Sequence, residues 1–159
     1  MKQVLALIFI AVALSLFMLF ILTNSNMGFS SRPVIKEIYT KKIYIKNIPI
    51  YAEIADTQSK RKNGLSGRLG LSQDQGMLLV FENSDTYGIW MKDMNFPIDV
   101  MWIDEKSRIV DIKKYARPSS YPEIFSPRIK SLYILEMSAG FAERTDIKVG
   151  DEINFGDVI

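Results

Sequence analysis

Residues 88–104 (GIWMKDMNFPIDVMWID) gather two tryptophans, three methionines, Lys92, three aspartates and Asn95 within 17 positions. If residues 89–92 form a strand, Ile89 and Met91 face one side while Trp90 and Lys92 face the other, which sets an indole beside an ammonium. Such a pair can hold a ring and its polar substituents. The plainer reading is that Trp90 and Trp102 pack the core, as large aromatics mostly do. For Asp99 the plain alternative is a structural hydrogen bond to nearby backbone.

Carboxylates supply a second chemistry. Glycoside cleavage needs two acids about 5 to 9.5 Å apart, and Asp93, Asp99, Asp104 and Glu136 are the available ones. Asp93-x-Asn95 has the spacing of calcium ligands, but the further acids and the glycine of a complete loop are missing. Ser66 or Ser72 with Lys92 has no spacing signature for nucleophilic catalysis. Arg61 and Arg68 flank Gly64 and Leu65 and can bind an anion, although exposed arginines usually serve solubility.

Composition removes most other mechanisms. The 159 residues include no histidine and no cysteine. That excludes a Ser-His-Asp triad, a cysteine nucleophile, a disulfide, a Cys/His zinc site and a thiolate-held cluster. No glycine-rich phosphate cradle follows a strand and no thiolate or imidazole ligand exists, so neither a cofactor nor a metal is expected. The formal charge of +2 falls to 19 bases against 18 acids once residues 1–29, which carry Lys2 and no acid, are set aside. So even a balance gives no support for nucleic-acid binding.

The elements that must position these residues read as short strands. Residues 42–46 and 50–54 alternate β-branched and aromatic residues around a turn at 47–49. Thr57 caps a short exposed helix that stops before Gly64, and 65–71 is loop. Four further strands fit 77–81, 88–91, 99–103 and 109–113. Residues 118–127 (PSSYPEIFSP) hold three prolines and read as surface loop. Residues 132–136 are strand-like, Ser138 is placed to cap a short helix through Arg144, and a tight turn at 149–152 leads into the last strand. The expected fold is mainly β with a minor α component: a compact barrel or sandwich of seven or eight short strands with two short helices.

Residues 4–22 (VLALIFIAVALSLFMLFIL) carry no ionisable group and only Ser15 among polar side chains. As a helix at about 1.5 Å per residue this run reaches about 28 Å, close to the hydrocarbon thickness of a bilayer. Bulky Phe17, Met18, Phe20 and Ile21 near its end argue against a signal-peptidase site, so an uncleaved single-pass anchor is expected, with secretion after cleavage as the alternative. The organisation then reads as anchor 1–23, linker 24–33 and one β-rich domain 34–159. Counting flanking bases favours the opposite topology, but long carboxyl-terminal domains translocate largely regardless of charge, so the domain is expected outside the cytoplasm.

Four ordered blocks carry a resemblance: RKNGLSGRLGL from Arg61, GMLLVF from Gly76, GIWMKDMNFPIDVMWID from Gly88 and YILEMSAGFAERTDIKVGD from Tyr133. Across roughly residues 40–156 the chain resembles the domain-of-unknown-function family 192. By that resemblance the family's recurring positions fall on Gly64, Leu65, Arg68, Gly76, Met77, Trp90, Met91, Lys92, Pro97, Asp99, Glu136, Ala139, Gly140, Gly150 and Asp151. The resemblance implies a compact β-rich domain, often behind an export or anchor segment, and no reaction. One position departs: relatives commonly have asparagine after Trp-Met-Lys, where this chain has Asp93, an acceptor without a donor.

Taken together, these features predict a membrane-tethered extracytoplasmic domain without catalysis that binds a small polar ligand, an envelope polymer or an envelope protein. Arg68, Trp90, Lys92, Asp93, Asp99 and Glu136 are its candidate contacts. The alternative is a carboxylate-dependent hydrolase acting on envelope saccharide, using two of Asp93, Asp99, Asp104 and Glu136.

Overall fold

In the computed structural model the described residues are 40–156 together with 14, 15, 17 and 18. The chain divides into two compact units, Met1–Glu37 and Ile38–Ile159, and the strands of the described residues belong to the second. Among the described residues no helix is long and apolar enough to cross a membrane. The anchor expected at 4–22 lies outside the described residues, apart from Leu14, Ser15, Phe17 and Met18.

Among the described residues nine strands follow in order: β1 Thr40–Ile45, β2 Ile48–Ala55, β3 Gln75–Asp85, β4 Ile89–Trp90, β5 Ile98–Ile103, β6 Ile109–Ala116, β7 Ile124–Phe125, β8 Ser131–Ser138 and β9 Ile153–Asn154. Within residues 40–156 two short helices, α1 Gln58–Asn63 and α2 Phe141–Arg144, join the strands with a 3-10 turn at Pro118–Ser120. Seven strands form one mixed sheet in the order β6-β5-β8-β3-β2-β1-β9, and β4 pairs with β7 apart from it.

Local chemistry explains the first turns. Lys46 and Asn47 both have positive φ, the geometry of a two-residue hairpin between β1 and β2. Thr57 accepts from the Lys60 amide, and Gly64 closes α1 at φ 48. The passage through α1 makes β2 and β3 parallel, a pairing that a tight turn cannot produce. At the other end of the sheet, the Arg108–Glu152 bridge and the Ile109 N–H to Asp151 carbonyl bond (2.9 Å) tie the start of β6 to the chain entering β9. The sheet therefore curls into a half-barrel whose two edges meet at one end, in place of either a sandwich or a fully closed barrel.

Strand alternation sends each strand's residues to two cores. Leu78, Met101, Ile103, Tyr133, Leu135 and Met137 join one cluster, while Met77, Leu79, Val100, Trp102 and Ile134 join the other. Four of the neighbours that cover the second face are Leu65, Ile89, Met91 and Phe125.

Two local expectations change. The proline-rich segment is not all loop, because Ile124 and Phe125, lying between Pro122 and Pro127, retain their amides and pair with Ile89 and Trp90. Ser138 ends β8 instead of capping α2: Gly140 holds the left-handed cap position at φ 80, and no side chain caps it from that residue. The amide of Ala142 is taken instead by Asp99 of β5, at 3.0 Å.

Candidate functional site

Glu136 lies midway along β8, opposite Met77 of β3 and Val100 of β5, and so shares their face of the sheet. It is the one acid in the apolar run of that strand. Only 5 % of its surface is exposed, and its Oε2 has no hydrogen-bond partner. Leaving a buried carboxyl oxygen unpaired costs on the order of 1–3 kcal/mol, so its retention needs an explanation. Burial raises its pKa from 4.5 to about 7, and the positive charge of Arg68 opposes that rise.

Glu136 opens onto a cleft of about 1000 Å³ on the second face of the sheet. One wall comes from α1 and the residues around it, including Gln58, Asn63 and Gly64; another comes from the end of β3 through β4, with Phe81, Asn83, Tyr87 and Trp90; Leu79 and Ile98 lie among the apolar lining. Gly64 suits the end of α1 because its φ is positive; a Cβ there would stand 3.7 Å from Oε2 of Glu136, an ordinary contact. Phe81 and Tyr87 stack at 3.6 Å, and the Arg61 guanidinium lies 4.9 Å above the Phe81 ring. Arg61 is fixed there by donating to the carbonyls of Asp56 (2.8 Å) and Val80 (2.7 Å).

Of the six candidate contacts read from sequence, Trp90 and Glu136 line this cleft. Ile89 and Met91 are buried while Trp90 is 43 % exposed, so the predicted alternation holds at β4. Lys92 Nζ sits 5.9 Å over the Trp90 indole, and Tyr121 meets that ring edge-on at 6.2 Å. Trp102 follows the plainer reading: it is core, and its Nε1 donates to the Tyr87 carbonyl at 2.9 Å. Arg68 stands beside Glu136 electrostatically but is bonded through both terminal nitrogens to Glu53, with Nη2 to Oε2 at 2.8 Å.

Asp99 lies elsewhere. It is opposite Met137 and projects to the first cluster's face, where its carboxylate accepts from the amides of Tyr115 (2.9 Å) and Ala142 (3.0 Å). Asp93 has φ 56 in the turn after β4 and presents its backbone carbonyl to the Gly67 amide at 2.8 Å. Asparagine and aspartate both tolerate that left-handed backbone, which gives the Asp-for-Asn departure a conformational reason. Asp104 accepts from the amides of Lys106 and Arg108 and organises the β5–β6 turn.

Sequence reasoning missed Phe81, Tyr87 and the amides of Gln58, Asn63 and Asn83. Phe81 and Tyr87 flank a polar stretch six positions apart, a spacing that has no meaning until the chain turns there. Among the described residues no group of three or more acids is placed to hold a metal ion.

A curled mixed sheet carrying an unpaired carboxyl at an external cleft defines this as a small β-rich domain with a ligand-sized site. The chain belongs to the DUF192 family, described as an uncharacterized ACR, whose model matches residues 41–155. It is 31 % identical over 105 residues to a UPF0127 protein of Thermococcus gammatolerans, covering 66 % of each chain. A UPF0127 protein of Thermococcus sibiricus is 31 % identical over 103 residues, covering 65 % of this chain and 64 % of that one. The match thus spans just under two thirds of these relatives' length. Among solved structures, a candidate transcription regulator from Sinorhizobium meliloti 1021 aligns with a TM-score of 0.70 and 28 % identity, covering 72 % of this chain and 92 % of that one. A protein of unknown function from Novosphingobium aromaticivorans shares the fold, with a TM-score of 0.68 and 24 % identity over 71 % of this chain and 83 % of that one.

Proposed function

We propose that this protein is a membrane-tethered extracytoplasmic binding domain that takes a polar ligand into the α1–β3–β4–β8 cleft. The observation that carries the reading is Oε2 of Glu136, buried, without a partner and bordering a cavity of ligand size. A bound ligand supplies the missing partner, and Trp90 at the same cleft supplies a flat apolar contact. The tether rests on residues 4–22, whose length and composition suit a bilayer span.

The test works with the ligand still unidentified. Full-length protein in detergent is incubated with a small-molecule extract of the envelope, and retained species are identified by mass spectrometry. A species held by the wild type and lost from Glu136→Ala and Trp90→Ala supports the reading. Identical profiles for all three folded proteins overturn it.

The raised proton affinity of Glu136 favours one second reading, a hydrolase in which it is the general acid. Its partner would come from Asp56 or Glu82, which line the same cleft, because Asp93, Asp99 and Asp104 do not. A shortened saccharide formed by the wild type and absent with Glu136→Gln would establish that activity.

A further inference from the structure

The cleft is bordered by amides and hydroxyls as well as by charged side chains. The side-chain amides of Gln58, Asn63 and Asn83 border it and make no hydrogen bond among the described residues. Each offers a donor and an acceptor at once. The carboxyl of Glu136 is also unpaired at Oε2, and as an acid or its conjugate base it can donate or accept. Formal charges in the lining nearly cancel, with two bases, Arg61 and Lys62, against Asp56 and Glu82, and Glu136 the remaining acid. An ammonium ligand finds the carboxyls of Glu82 and Glu136 but also two cations nearby, and a carboxylate or phosphate finds those cations but three acids. A hydroxyl, donor and acceptor together and uncharged, matches every unpaired group.

The apolar side of the cleft points the same way. Trp90 exposes a broad indole at the lining, and Tyr87, stacked on Phe81, brings a second aromatic ring to it. A ring with hydroxyls at its rim and C–H groups on its faces satisfies both kinds of contact. The volume, about 1000 Å³, lies at the upper end for small-ligand sites.

We propose that the ligand is a neutral saccharide, anchored by hydroxyl hydrogen bonds to Glu136 and the neighbouring amides and stacked on Trp90. This rests on the binding function proposed above and names its ligand class.

The discriminating experiment compares two substitutions at one atom. Detergent-solubilised full-length protein is applied to an array of neutral bacterial and plant oligosaccharides, with acidic oligosaccharides and immobilised polyamines as comparators. Neutral glycans should be captured, and Glu136→Ala should weaken capture about tenfold or more, the worth of a hydrogen bond to a buried group. Glu136→Gln keeps both a donor and an acceptor and should stay within about threefold of wild type. Titrating a captured glycan should perturb the emission of wild type and leave Trp90→Phe, which retains only buried Trp102, unchanged.

Capture of polyamines, abolished by Glu136→Gln, would overturn the saccharide class while keeping the cleft as a binding site. Capture of acidic glycans alone, lost with Arg61→Ala, would have the same consequence. If the folded wild type retains neither glycans nor polyamines and the envelope extract also yields no species dependent on Glu136, the saccharide proposal and the binding function fail together.

Discussion

Glu136 is the buried carboxyl whose proton links the stability of the fold to pH. Its folded pKa, about 7, is above its ordinary value of 4.5 because burial disfavours the charged form more than Arg68 restores it. The folded state therefore holds the proton more tightly than the unfolded chain. Its contribution is fully present below about pH 4.5, declines as pH rises, and is lost above about pH 7, a swing of ~3 kcal/mol. Glu136→Gln removes the titration and keeps the shape. The difference in unfolding free energy between variant and wild type should thus shift in the variant's favour by that amount between pH 4.5 and pH 8. Denaturant titrations at both pH values measure it, and a difference that does not change with pH would contradict the assignment. The acids whose pKa values are held down by basic neighbours, Asp56 by Lys60, Asp111 by Arg128 and Asp151 by Lys46, work in the opposite direction, and the comparison cancels them. In the sequence Glu136 stands out only as one of four available carboxylates and as a recurring position of the resembled family; its burial in LYILEMS is what the structure adds.

At the scale of elements, Asp99 joins three that are far apart in sequence: β5, which carries it, the end of β6 through the Tyr115 amide, and α2 through the Ala142 amide. It acts as a cap for a four-residue helix whose own cap position is Gly140. Asp99→Ala leaves two amides without acceptors in a buried setting and should lower stability by about 2–4 kcal/mol, measured as a fall in the denaturant midpoint. Asp99→Asn keeps one carbonyl oxygen and should fall between. Because Asp99 faces away from the cleft, ligand capture by folded Asp99→Asn should match wild type; a loss of capture there would place Asp99 in the site after all. Much at this scale was legible. The Thr57 cap, the Gly64 stop and the alternating strands are local signals; α1 falls where those signals put it, and the β1–β2 turn falls at 46–47, just ahead of the expected 47–49. What escaped was non-local. Two amides between Pro122 and Pro127 form β7 only because β4 arrives to pair with them, and the parallel alignment of β2 and β3 is decided by packing across 19 intervening residues, 56–74. The cleft shares that history: Trp90 and Glu136 could be singled out by type, whereas Phe81, Tyr87 and the three amides acquire meaning only once α1, β3 and β4 converge.

For the whole molecule, charge and hydropathy are distributed with a sharp boundary. The strands bury their apolar residues on two faces, and residues 30–159 hold 19 bases and 18 acids, so the β-rich body has little electrostatic reason to adhere to an anionic bilayer. Any stable membrane association must then come from residues 4–22, which contain no charge. Two fractionation results separate these sources of adhesion. The full-length protein should sediment with membranes, resist extraction by 1 M salt or carbonate and dissolve in detergent, as an integral segment does and a surface-bound domain does not. Deletion of residues 1–23 should release a soluble protein that still captures ligand. Protease added outside intact cells with a permeable outer layer should degrade the body while leaving cytoplasmic controls whole. A full-length protein released by salt alone would trace the adhesion to the β-rich surface, and a body protected until the inner membrane is broken would reverse the proposed topology.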